Sequence, residues 1–117
     1  MAEKINVLIV EPGKAPQPSE VEATQEAFAG IVGGEIETGV YLPQRVMVVR
    51  NAAPENLPPN RMIPGDKDCI AGTFLLCGFE DDSFISLTPE QRMDFQRILA
   101  LPDFSLFGKG ERSEPSK

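Results

Sequence analysis

Cys69-Ile70-Ala71-Gly72-Thr73-Phe74-Leu75-Leu76-Cys77-Gly78-Phe79 is apolar at both odd and even positions, and its reading decides the fold. A strand with one wet side alternates, whereas a run apolar on both parities belongs to a strand covered on both faces. The run predicts one long strand, with Gly72 at a bulge or a close approach of another backbone. Downstream, Glu80-Asp81-Asp82 reads as an acidic turn and residues 83–87 as a short further strand. Thr88-Pro89-Glu90-Gln91 is a capping box with proline at the first helical position, predicting a helix to about Ala100 with Phe95, Ile98 and Leu99 toward the core. Pro102 ends it, and residues 104–117 form a polar, aperiodic tail expected to be disordered.

Upstream, Ile63-Pro64-Gly65-Asp66 has proline and glycine in the order of a type II turn. Residues 51–61 are proline-rich without a regular period and read as a loop. Before them, residues 35–42 and 45–50 predict a hairpin broken at Pro43-Gln44. In its first strand Ile36, Thr38, Val40 and Leu42 share one face, and Glu35, Glu37 and Tyr41 the other. Gly33-Gly34 stops a helix predicted to open at Ser19, where Ser19 and Glu22 have capping-box spacing and Glu20, Glu22 and Glu26 suit the helix dipole. Val21, Phe28, Ile31 and Val32 form its apolar stripe. Residues 5–10 are a nearly continuous apolar, central strand, followed by the turn Glu11-Pro12-Gly13-Lys14. These elements predict a single α+β domain over residues 1–103, a mainly antiparallel sheet of about five strands with two helices.

The composition bounds function. With 117 residues, 41% hydrophobic and 25% charged, the chain supports one core. Its net charge of −7 disfavours nucleic acid through the overall field and favours solubility or a basic partner. The start lacks the pattern of a signal peptide and no apolar stretch is long enough to cross a bilayer, so a cytoplasmic protein is expected. There is no histidine, which removes the usual general base and metal ligand, and no zinc spacing, phosphate loop or dinucleotide fingerprint. No cofactor or metal is expected. Cys69 and Cys77, on one extended run, would lie ~26 Å apart, too far for a disulfide, so reduced buried thiols are expected. Glu35 and Glu37 read as solvated strand-face charge, with paired carboxylates as the alternative.

One stretch reads as a binding site. Pro58 and Pro59 stiffen the backbone ahead of Asn60-Arg61, which lowers the entropy lost on binding, and a guanidinium forks onto phosphate or carboxylate. The candidate ligand site is Pro59, Asn60 and Arg61 with Gly72 and Thr73 as donors, and Glu35, Glu37 and Glu11 as support. Arg61 is alternatively a structural brace paired with one of those three glutamates.

Val7-Leu8-Ile9-Val10-Glu11-Pro12-Gly13-Lys14, Ile31-Val32-Gly33-Gly34-Glu35-Ile36-Glu37, Leu57-Pro58-Pro59-Asn60-Arg61, Ile70-Ala71-Gly72-Thr73-Phe74 and Ser86-Leu87-Thr88 resemble, in order, the domain-of-unknown-function family numbered 3846. The likeness runs from about Lys4 to Leu99. It departs at Ala52-Ala53, where members carry an acidic pair. The resemblance implies a phage or mobile-element accessory role and no particular reaction. The expectation is a non-enzymatic anti-defence protein that sequesters an anionic small molecule such as a nucleotide-derived immune signal. The alternative is an acidic inhibitor of a host defence nuclease, of the anti-restriction or anti-CRISPR type. A homodimer is expected to cover the second face of the sheet, unless the loop of residues 51–61 folds over it.

Overall fold

Both edges of the apolar strand Phe74–Glu80 are paired, and the rest of the chain is arranged around it. The computed structural model describes residues 3–42, 44–62 and 69–100. Its elements are β1 (Lys4–Val10), β2 (Gln17–Glu22), α1 (Gln25–Val32), β3 (Ile36–Leu42), β4 (Val46–Asn51), β5 (Pro59–Met62), β6 (Cys69–Ala71), β7 (Phe74–Glu80), β8 (Ser83–Ile85) and α2 (Pro89–Ile98). The main sheet runs β2-β1-β7-β4-β3, with β8 also on β7, and every pairing is antiparallel. A separate two-stranded sheet joins β5 and β6. The protein is α+β, as expected, with more strands than the sequence suggested.

The extra strands have physical causes. The run of residues 69–79 is two strands, because at Gly72 the chain takes φ +77°, and a Cβ there would lie 2.7 Å from Leu57 Cδ1. Only glycine meets both demands without strain. β6 therefore leaves the main sheet and pairs with β5, inside the stretch expected to be a loop. The break also removes the extended spacing assumed for Cys69 and Cys77. Cys77 is a free, buried thiol.

The helix expected from Ser19 begins later. Residues Gln17–Glu22 pair with β1 in the register Val7↔Ser19 and Ile5↔Val21, so the Ser19–Glu22 spacing is incidental. The N-cap of α1 is Thr24, whose Oγ1 accepts from the Ala27 amide at 3.0 Å. Gly33 closes the helix with φ +85°, the left-handed cap expected there. In β3 a register shift between Glu37 and Val40 reverses the expected parity. Ile36 packs with the α1 side of the sheet and Leu42 with the other side.

Two cores result, one on each face of the sheet. Ile5, Val7, Met47, Val49, Leu75 and Cys77 pack around Phe28 of α1, with Phe84 against Phe28 at 4.8 Å. Leu8, Val10, Val46, Val48, Phe74 and Leu76 pack with Ile70 of β6, Phe95 and Leu99. The expected capping box opens α2, with Gln91 N donating to Thr88 Oγ1 at 3.1 Å and Thr88 N to Gln91 Oε1 at 2.8 Å. Ile98, expected inside, is 50% exposed. Because α1 covers one face and α2 with β5–β6 the other, the uncovered face that motivated a homodimer is supplied from within the chain. No described helix is long and apolar enough to cross a membrane. The turn expected at residues 63–66 and the tail at 104–117 lie outside the described residues.

Candidate functional site

Asn60 and Arg61 are consecutive in β5, where a regular strand would send them to opposite faces. The register of β5 against β6 shifts between Pro59 and Arg61, and this bulge turns both side chains inward, where each is fully buried. Asn60 Nδ2 donates to the carbonyls of Val10 at 2.9 Å and Gly72 at 2.8 Å. Arg61 Nη1 donates to Asn60 Oδ1 at 2.7 Å, which fixes the amide's orientation. Arg61 Nε and Nη2 fork onto the Leu99 carbonyl at 3.2 and 3.0 Å. Nη2 also donates to the Lys14 carbonyl, and Nη1 to that of Glu11 at 3.5 Å.

The five carbonyls share a property. Val10 ends β1, Glu11 and Lys14 belong to the turn after it, Gly72 is the break between β6 and β7, and Leu99 caps α2. Ends and turns leave main-chain acceptors without ladder partners, and a buried acceptor left unmade costs about 1–3 kcal/mol. One amide and one guanidinium supply donors to this set, in which the Glu11 carbonyl also accepts from Lys14 N at 3.1 Å, and the cation lies at the negative end of the α2 dipole. The pair is a polar latch between β1, β5, the Gly72 break and α2.

The structure brings Asn60, Arg61 and Gly72 together, with Thr73 half-buried beside them and Pro59 exposed. Arg61 thus braces the fold, and its described hydrogen bonds run to carbonyls. Glu11 takes part through its main chain, while its carboxylate pairs with Lys14 at 3.5 Å. Glu37 pairs with Arg50 at 3.0 Å. Glu35 lines an open cleft with Gln25, Glu26, Ala29, Ile36 and Thr38. Among the described residues no group of three or more acidic, cysteine or histidine side chains is placed to hold a metal ion. Burial pushes the Cys77 thiol up to about 12, which leaves it un-ionised and unreactive near neutrality.

Sequence reasoning passed over two features. Asn51, at the end of β4, donates from Nδ2 to the Val32 carbonyl at 3.1 Å and accepts from Ala53 N at 2.7 Å, closing the C-terminal end of α1. An asparagine between a strand and a proline-bearing loop is an Asx-turn signal that points to this role. The second feature is the shared tip of hairpins β3–β4 and β7–β8. Gln44, Arg45, Asp81 and Asp82 all take positive φ there, between 53° and 72°, without a glycine among them. The tips are joined by a hydrogen bond from Phe79 N to the Arg45 carbonyl at 3.1 Å. Between them Tyr41, 56% exposed, meets Phe79 at a ring distance of 5.7 Å. With Arg45, Glu80 and Asp81 these rings line a cleft of about 440 Å³.

Fold and site define a small antiparallel α+β domain whose central polar pair serves the main chain and whose aromatic cleft lies at the sheet's end. Residues 5–100 match the model of DUF3846, a domain of unknown function, and the chain belongs to that family. Neither the curated proteins nor the solved structures contain a match.

Proposed function

We propose that this chain is a non-enzymatic protein-interaction module that presents an acidic surface to a basic site on a partner, as an inhibitor of a host defence nuclease would. The phage or mobile-element setting implied by the family resemblance is part of this reading. One observation supports it best: no described aspartate or glutamate is buried, while Arg61, the one described charged residue that is buried, is engaged inside. Removing Arg61 from solvent makes the surface more negative than the net charge of −7 conveys. Sequestration of an anionic small molecule by Asn60, Arg61, Gly72 and Thr73 is the second reading, and it requires the latch to open.

Native mass spectrometry of the protein recovered from host lysate separates the two. The interaction module is expected to retain a polypeptide that is released as ionic strength rises, since charge-steered association weakens with screening. A retained small anion, or conversion of a substrate, contradicts the proposal.

A further inference from the structure

We propose that the hairpin-tip cleft is the docking point of this surface, and that it takes an arginine side chain from a loop of the partner protein. This rests on the reading of the chain as an acidic interaction module and locates its contact. Register places Tyr41 opposite Met47 and Met47 opposite Cys77, so Tyr41 and Phe79 share the α1 face of the sheet. Tyr41 nevertheless stays largely in solvent, five residues along β3 from Ile36, which packs with the α1 core. An aromatic pair left open at the end of a covered sheet has the composition of an interface anchor.

The charges around the rings select the occupant. Arg45 pairs with Glu80 at 3.7 Å with both side chains well exposed, a contact that solvent screens heavily. Among the described residues no cation pairs with Asp81 or Asp82, so the rim carries an excess of negative charge. A flat ring face beside unmatched carboxylates suits a guanidinium, which stacks on the ring while its N–H groups fork onto the acids. A lysine ammonium lacks the planar stack. The cleft lined by Glu26 and Glu35 is also acidic, but it holds no aromatic side chain and supplies an internal comparison.

The test titrates the ¹⁵N-labelled full chain with a nine-arginine peptide at low salt, following amide shifts. Perturbations are expected at residues 41, 45 and 79–82, with affinity weakened about 3-fold by Tyr41→Ala. Further loss is expected in the Asp81→Asn/Asp82→Asn double variant, and a nine-lysine peptide should bind less tightly. The exposure of all three side chains keeps these variants folded, which their undisturbed spectra verify. Unchanged affinity in Tyr41→Ala, or shifts centred on residues 25–29 and 35–38, overturns the tip assignment while leaving acidic docking in place. Concentration-dependent broadening at the tip without peptide means that a second copy is the occupant, and also overturns it. No binding at all rejects the tip site, and the mass-spectrometric experiment then judges the broader function by itself.

Discussion

The Asn60–Arg61 latch and the β3–β4/β7–β8 tip both break local rules, in opposite directions. The latch buries a cation and an amide, and the carbonyls of β1, its turn, the Gly72 break and α2 meet their donors. The tip holds four non-glycine residues at positive φ and an exposed tyrosine, and its side-chain hydrogen bonds, such as those from Gln91 Nε2 to the Gln44 carbonyl at 2.6 Å and from Ser83 Oγ to the Asp81 carbonyl at 3.5 Å, lie in solvent. A costly feature that satisfies its own fold explains itself. One that faces water is where an external partner is to be sought.

The comparison is broken most severely at Arg61. Arg61→Ala removes the charged donor that the buried Leu99 carbonyl and the Asn60 amide oxygen accept from, with an expected loss of about 3–5 kcal/mol in urea unfolding, a large fraction of the stability of a domain of this size. Arg61→Lys keeps the charge without the fork, and an intermediate loss is expected. If Arg61→Ala unfolds like the parent chain, the latch is not structural. Gly72→Ala comes next, at about 1–3 kcal/mol, since it meets both the positive φ and Leu57. Leu57→Ala should recover the clash and leave the backbone strain, so a full recovery would show that φ is unimportant there.

A smaller effect is expected with pH. Burial raises the Cys77 thiol from 9.0 in a free chain to about 12 in the fold. The stability associated with the neutral thiol is complete below pH 9 and is lost as pH rises toward 12, by about 1 kcal/mol near pH 10. Cys77→Ser should flatten that part of the unfolding profile. At the tip the sign reverses: Arg45→Gly relieves a positive φ at an exposed site and is expected to stabilise by about 0.5–1 kcal/mol. A destabilised variant would mean that Arg45 serves the fold, which would weaken the contrast between the two regions.

Much of the architecture was legible because local signals agreed with tertiary demands. Thr88 to Gln91, Gly33 and the β3–β4 hairpin each carry a short-range rule that the packing does not override. The helix expected from Ser19 failed because capping-box spacing also fits an edge strand, and pairing with β1 decided between them. Residues 69–79 read as one strand because apolar parity cannot report the positive φ of Gly72, which depends on Leu57 arriving from elsewhere. The fate of Arg61 was visible only as an alternative. Apart from the neighbouring Asn60, its described partners are main-chain carbonyls, which have no side-chain signature, and two of them lie 38 and 47 residues away.

The central claim is that the Arg61 guanidinium is bound within the fold, and proton exchange at its Nε measures this most directly. In ¹⁵N-arginine-labelled protein near neutral pH, the Arg61 Nε–H held against the Leu99 carbonyl should give a resolved signal exchanging far more slowly than those of the exposed Arg45 and Arg97. An Arg61 signal that exchanges as fast as theirs, or that slows only when an anion such as phosphate is added, would contradict the account.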